Sequence, residues 1–170
     1  MSGLAARLVA ELARRGERVA VAESLTGGLL ASAFVDVPGA SEVFSGGVVA
    51  YSTELKARLL GVDAALLASR GPVDGDVARQ LAAGVRLRAA LDGRRPADRA
   101  LATTGVAGPD PQDGVAPGTV WLGYADAEGT DARALRLAGD RAAIRAAAVD
   151  AALALLAEHL GIPPAPPSSL

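Results

Sequence analysis

The feature that most constrains the fold is a short apolar segment, RVAVA at residues 18–22, that runs directly into the turn ESLTGG at residues 23–28. A second apolar stretch follows this turn to about residue 35. A short apolar run rich in β-branched residues and bounded by turn residues is typical of a buried strand. The segment therefore predicts a strand, a turn and a helix in succession, with Ser24 at the junction.

Strands and helices continue to alternate over the next part of the chain. The apolar stripe of the N-terminal segment has helical spacing, and Gly16 stands where a helix ends. Residues 52–62 have helical spacing between a cap at Ser52 or Thr53 and a stop at Gly61. The elements predicted here are helices at residues 2–16, 52–62 and 76–91 and a strand at residues 43–51.

The C-terminal part predicts a hairpin followed by a long helix. Strands are expected at residues 99–103, 118–126 and 132–137, with a turn at residues 127–130 between the last two. Asp140 is expected to cap a helix that reaches about residue 160. We therefore expect one α/β domain over residues 1–160, a three-layer α/β/α arrangement with a mixed sheet of about five strands, and a disordered proline-rich tail at residues 161–170.

Charge and cysteine content exclude several classes of function. The chain has 17 basic and 19 acidic residues among 170, far from the clustered positive charge that binds nucleic acid. It has no cysteine, which excludes disulfides, thiol catalysis and cysteine-ligated zinc. No apolar run approaches the length of a membrane span, and the N-terminus lacks a signal-peptide pattern. We expect a soluble, cytoplasmic protein without nucleic-acid or membrane partners.

Lys56 is unusual because it is the single lysine in a chain whose other 16 basic residues are arginine. Arginine stays charged at physiological pH, whereas a desolvated lysine can lose its proton and act as a general base. Lys56 could therefore have a role that arginine cannot fill, although a surface lysine retained by chance fits the composition equally well. Tyr51 could orient this base or relay a proton, or could simply pack.

The turn around Ser24 is a candidate reactive site. Backbone N–H groups at a helix N-terminus can stabilise negative charge, and Gly27 and Gly28 would let a ligand approach the backbone closely. The alternative is that Ser24 or Thr26 only caps the helix. Position along the chain does not separate these two interpretations.

Two further segments suit contact with a phosphate. Thr104 and Gly105 lie in a glycine-rich loop, residues 103–108, which follows a predicted strand but lacks the ending of a Walker loop. Arg141 and Arg145 are four residues apart and share one face of the first turns of the last helix, which favours an anion. A solvated basic face is the alternative for these two arginines.

A catalytic metal is not expected. Asp110 and Asp113 could suggest one, but His159 is the single histidine and lies near the C-terminus. Solvated turn acids explain both aspartates, and no cofactor is expected.

Five motifs occur in one order between about residues 4 and 160. They are AESLTGG (22–28), GGVVAYSTELKARLLGV (46–62), TTGVAGPD (103–110), PGTVWLGYA (117–125) and GDRAAIR (139–145). Together they closely resemble the CinA C-terminal domain family, the bacterial nicotinamide-nucleotide amidohydrolases, in its stand-alone form.

The resemblance implies that nicotinamide mononucleotide is deamidated to nicotinate mononucleotide and ammonia, without a cofactor, by a homodimer or larger homo-oligomer. It assigns catalysis to Ser24, Lys56 and Tyr51, and it assigns ligand binding to Thr104, Arg141 and Arg145. Two alternatives stay open: a nucleotide-sensing domain with little or no turnover, and an amidase or esterase for another small substrate.

The chain departs from the family pattern in the loop GPDPQDGVAPG at residues 108–118, where Pro111 replaces a glycine. Thr53 stands where asparagine is usual, and GPVD at residues 71–74 replaces a typical GAVS. These changes leave the serine, tyrosine and lysine in place, so they bear on substrate preference and on loop conformation.

Overall fold

The computed structural model of the chain describes residues 2–90 and 95–163. The predicted helix end at Leu91 and the predicted tail from residue 164 onward lie outside the described residues. The strands are β1 (Val19–Glu23), β2 (Phe44–Val49), β3 (Arg99–Gly105), β4 (Thr119–Ala125) and β5 (Thr130–Arg136). The helices are α1 (Ser2–Arg15), α2 (Leu29–Val35), α3 (Ala40–Val43), α4 (Thr53–Leu60), α5 (Ala64–Arg70), α6 (Gly75–Arg88) and α7 (Arg141–His159).

The strands form one mixed sheet in the order β2-β1-β3-β4-β5. β1 is parallel to β2 and β3, whereas β4 is antiparallel to β3 and β5. The register pairs Glu23 with Val49 on one side and with Thr103 on the other. The carboxyl ends of three strands therefore meet at one edge of the sheet, where α/β proteins usually bind ligands.

Two apolar clusters cover the two faces of the sheet and confirm the α/β class expected from the sequence. On β1, Val19 and Val21 face the cluster formed with α1, α2 and α7, while Ala20 and Ala22 face the cluster formed with α4, α5 and α6. This alternation is the two-residue period of a strand buried on both faces. It gives the molecule three layers.

Small residues bring α6 unusually close to the sheet. A Cβ built on Gly123 of β4 would collide with the carbonyl oxygen of Ala78 in α6, so no side chain fits there. Close packing of this kind is what a chain rich in alanine and glycine can achieve with few aromatic residues.

The structure corrects two details of the prediction. β3 extends to Gly105, so Thr104 and Gly105 are strand residues rather than loop residues, because both pair with β4. Two short helices, α3 and α5, were not expected, since four and seven residues show too little periodicity. Within residues 2–90 and 95–163, no helix combines the length and apolar character needed to cross a bilayer.

Candidate active site

A polar cavity of about 120 Å³ lies at the sheet edge where β1, β2 and β3 end. Six of the nine candidate catalytic and ligand-binding residues line it: Ser24, Tyr51, Lys56, Thr104, Gly105 and Arg141. They come from four separate segments of the chain. Gly27, Gly28 and Arg145, which the sequence also suggested as ligand contacts, are not among the lining residues.

Ser24 and Lys56 are in direct contact at the base of the cavity. The Lys56 Nζ lies 3.0 Å from the Ser24 Oγ, 2.7 Å from the Ala50 carbonyl oxygen and 3.4 Å from the Tyr51 carbonyl oxygen. The lysine side chain is only 1% exposed, so it is not a surface residue. Burial lowers the pKa of Lys56 from its ordinary 10.5 to about 8.

The partners of Lys56 determine where its lone pair points. A neutral amine has two hydrogens and one lone pair, and carbonyl oxygens can only accept hydrogen bonds. When Lys56 is neutral, its hydrogens are directed to the Ala50 and Tyr51 carbonyls, and its lone pair faces the Ser24 hydroxyl. This arrangement allows Ser24 to donate its proton to the amine.

The start of α4 explains how Lys56 reaches this position. Of the two predicted caps, Ser52 and Thr53, the helix uses Ser52, whose Oγ accepts the Leu55 N–H at 3.3 Å. Side chains on a helix lean toward its N-terminus. The amine on the fourth helical residue therefore extends back to the carbonyls of Ala50 and Tyr51, which immediately precede the helix.

The N-terminus of α2 is occupied by a carboxylate of the protein itself. Glu23, only 2% exposed, accepts hydrogen bonds from the N–H groups of Gly28, Leu30 and Ala31 at 2.8–3.0 Å. A carboxylate at this end of a helix is favoured by the helix dipole. These three N–H groups are therefore not available to a ligand, contrary to what the position of Ser24 suggested.

Neither Ser24 nor Thr26 caps α2, so the alternative interpretation of this turn is wrong. Gly28 is the capping residue and makes no side-chain cap, while the Thr26 hydroxyl bonds to the Thr103 hydroxyl at 2.7 Å. Gly27 and Gly28 both have positive φ, 58° and 102°. Their conformation alone favours glycine at these positions.

Arg141 and Tyr51 form the outer wall of the cavity. Arg141 donates to the Gly108 carbonyl at 2.7 Å and to the Tyr51 hydroxyl at 3.1 Å. Tyr51 is 61% exposed, and its hydroxyl bonds to this arginine, whereas its main-chain carbonyl contacts Lys56. The ring of Tyr51 thus lies on the open side of the cavity.

Thr104 and Gly105 shape the wall formed by β3. The Thr104 hydroxyl donates to the Pro72 carbonyl at 2.7 Å. A Cβ on Gly105 would lie 2.6 Å from the Thr119 carbonyl oxygen, so packing against β4 requires glycine here. Both residues therefore have structural partners in addition to their place in the cavity lining.

The loop that departs from the family pattern also reaches the cavity. Asp110 and Gln112 line it, whereas Asp113 and Gly114 form the tip of a tight turn with φ of 50° and 77°. The turn is closed by reciprocal bonds between the main chains of Gln112 and Val115. Positive φ at both central residues favours this Asp-Gly sequence. No local sequence pattern indicates that Gln112 lines a cavity, because its position depends on how this turn folds back.

Comparison with known proteins gives one consistent family. The chain matches the CinA C-terminal domain over residues 1–160. It is 51% identical over 153 residues to a CinA-like protein of Frankia casuarinae, covering 89% of the chain and 34% of that protein. It is 44% identical over 142 residues to a putative competence-damage inducible protein of Bacillus velezensis, covering 81% of the chain and 33% of that protein. The chain thus spans about a third of these relatives' length.

Solved structures show the same fold. A CinA superfamily protein from Klebsiella pneumoniae superimposes with a TM-score of 0.85 at 35% identity, covering 93% of this chain and 96% of that one. A competence/damage inducible protein from Agrobacterium tumefaciens gives a TM-score of 0.86 at 33% identity, covering 94% of each chain.

Proposed function

The chain belongs to the CinA C-terminal domain family, and we propose that it is an amidohydrolase that deamidates nicotinamide mononucleotide through an acyl-enzyme on Ser24. The observation that supports this most directly is the 3.0 Å contact between the Ser24 Oγ and the buried amine of Lys56. A serine beside a base of lowered pKa is the arrangement that activates a hydroxyl nucleophile.

In the first half of the reaction, Ser24 attacks the carboxamide carbon. Its oxygen forms a bond to that carbon while its proton passes to the lone pair of Lys56. The carbon–nitrogen bond then breaks, and the Lys56 ammonium returns the proton to the leaving nitrogen, so that ammonia departs and a Ser24 ester remains.

In the second half, water hydrolyses the ester. Neutral Lys56 takes a proton from the water as the new carbon–oxygen bond forms, and the bond to the Ser24 oxygen breaks as that oxygen regains a proton. The products are nicotinate mononucleotide and the free enzyme. One residue therefore acts as base and acid in turn, which requires a pKa near the working pH, and that of Lys56 is about 8.

The outer part of the cavity suits the nucleotide portion of the substrate. Arg141 supplies a guanidinium at the start of α7, a group whose planar fork matches a phosphate. We assign the phosphate to Arg141 and contacts with the rest of the substrate to Tyr51, Thr104 and Gly105.

The test is ammonia release from nicotinamide mononucleotide by the purified chain and by variants. Wild type should release ammonia; Ser24→Ala should abolish release, and Lys56→Arg should lower kcat by about 10²–10⁴-fold, because arginine cannot act as the base. Ser41→Ala should keep full activity, because Ser41 is exposed and is not among the residues that line the cavity. Absence of release by folded wild type would exclude the proposed function, and binding without release would favour a nucleotide-sensing domain.

A further inference from the structure

Arg145 is bound to the turn that carries Ser24. Its Nε donates to the Leu25 carbonyl and its Nη2 donates to the Thr26 carbonyl, both at 2.9 Å. A Cβ on Gly27 would lie 3.4 Å from the same Nη2, so the guanidinium packs directly against the turn. The guanidinium is thus engaged by main-chain oxygens, and Arg145 is not among the residues that line the cavity.

The turn itself is a β-turn of Ser24–Gly27, closed by the Gly27 N–H donating to the Ser24 carbonyl at 3.1 Å. Its two central carbonyls, those of Leu25 and Thr26, are the ones that Arg145 binds. In a trans peptide the carbonyl and the next N–H point in opposite directions. Since the Ser24 carbonyl points into the turn, the Leu25 N–H points out of it.

The Leu25 N–H has no hydrogen-bond partner among residues 2–90 and 95–163, although Leu25 lines the cavity. The N–H groups of Gly28, Leu30 and Ala31 are bound by Glu23, and that of Gly27 closes the turn. The Thr26 N–H also has no partner among these residues, but Thr26 is fully buried and does not line the cavity. Among the described residues, the Leu25 N–H is thus the donor of this turn that belongs to a cavity-lining residue and is left for a ligand.

We propose that Arg145 is a positioning residue: by holding the Leu25 and Thr26 carbonyls, it fixes the turn so that the Leu25 N–H stabilises the oxyanion formed on Ser24. This inference rests on the proposed function of Ser24. As the Ser24 oxygen bonds to the carboxamide carbon, the electron pair of the carbonyl double bond moves onto its oxygen. That oxygen then accepts the Leu25 N–H.

A positioning role and a phosphate-binding role predict different kinetics. Arg145→Ala should lower kcat for nicotinamide mononucleotide by about 10–100-fold, somewhat less than removal of an oxyanion donor, and leave KM within about twofold. Arg145→Lys, which can still donate to one carbonyl, should recover part of kcat. A rise in KM at unchanged kcat would overturn the proposal and assign Arg145 to the substrate.

A second measurement does not depend on the natural substrate. Phenylmethylsulfonyl fluoride sulfonylates an activated serine as fluoride leaves. During the attack, negative charge develops on a sulfonyl oxygen, as it does on the carboxamide oxygen of the substrate. Its second-order rate with Ser24 should fall in Arg145→Ala by about the same factor as kcat. Arg18→Ala is the matched control, because Arg18 also donates to main-chain carbonyls, those of Glu42 and Phe44, but at the opposite end of β1. It should leave the rate unchanged.

The two proposals fail separately in this design. If wild type is sulfonylated in an Arg145-dependent manner but releases no ammonia, the proposed function is wrong and the positioning role stands. If Arg145→Ala is sulfonylated at the wild-type rate, the positioning role is wrong whatever the substrate. Thermal unfolding of each variant identifies any loss that comes from misfolding.

The wild-type protein also allows a direct test of the donor. Pyridine-3-boronic acid should add to Ser24 and present a tetrahedral boronate oxygen to the turn. The Leu25 amide proton should then shift downfield in the ¹H–¹⁵N spectrum, and it should not shift in Ser24→Ala. A Leu25 amide that stays in place while the boronate adds to wild type would overturn the assignment.

Discussion

Lys56 has an unusual set of partners for a buried amine. Its described contacts are one hydroxyl and two main-chain carbonyls, with no carboxylate among them. Carbonyl dipoles orient the amine but do not neutralise its charge, so burial dominates and lowers its pKa. The same contacts that aim the base at Ser24 thus leave it able to lose its proton near neutral pH.

The pH dependence of activity follows from this pKa. Because Lys56 must be neutral to accept the Ser24 proton, kcat/KM should fall about tenfold per pH unit below about pH 8 and level off above it. A pH series of ammonia release measures the midpoint. Tyr51→Phe should change the rate but keep the midpoint, since Lys56 supplies the titrating group. A midpoint near pH 10.5, the ordinary value, would contradict the assigned base.

At the scale of secondary-structure elements, the close approach of α6 to β4 restricts which residue can stand at position 123. Gly123→Ala should lower the free energy of unfolding by about 1–3 kcal/mol, because the added methyl meets the Ala78 carbonyl. Urea unfolding measures the change. Gly129→Ala is the control: nothing lies within 4 Å of its Cβ position, so stability should change little. Equal effects in the two variants would show that packing at Gly123 is loose.

Local sequence patterns predict the existence of the helices and strands better than the residues at which they end. The strand before Ser24 and the cap at Ser52 could be read from local patterns, because apolar runs and capping residues act within a few positions. The extension of β3 to Gly105 could not, since it depends on the pairing of Gly105 with Val120 and of Thr104 with Trp121, 15 and 17 residues further along the chain. Elements as short as α3 and α5 carry too little periodic signal.

The site was predicted to a similar extent. Ser24 was indicated by its position in the turn and Lys56 by being the single lysine, and the structure brings them together. The separate positions of Arg141 and Arg145 could not be predicted, because residues four apart share a helix face but meet different segments across it. Glu23 is not among the candidate site residues, although the sequence carries a signal for it. An acidic residue at the end of a buried strand, directly before a turn, needs a buried hydrogen-bond partner.

For the molecule as a whole, Lys56 couples stability to pH. Its pKa is about 8 in the folded chain and about 10.5 when unfolded, so between these values the unfolded chain binds a proton that the folded chain has lost. The free energy of unfolding should therefore rise with pH across this window, by about 3 kcal/mol relative to Lys56→Met. Denaturant unfolding of both proteins from about pH 7.5 to about pH 10.5 measures the difference. A difference in the free energy of unfolding that stays the same at every pH would contradict the lowered pKa of Lys56.

The burial that lowers the pKa of Lys56 exists only in the folded chain. In an unfolded or newly made chain, Lys56 is solvated and protonated at neutral pH, and Ser24 is an ordinary alcohol. Four distant segments must assemble before the amine is shielded and aimed at the hydroxyl. Under the proposed function, Ser24 would therefore become an active nucleophile only when the chain has folded.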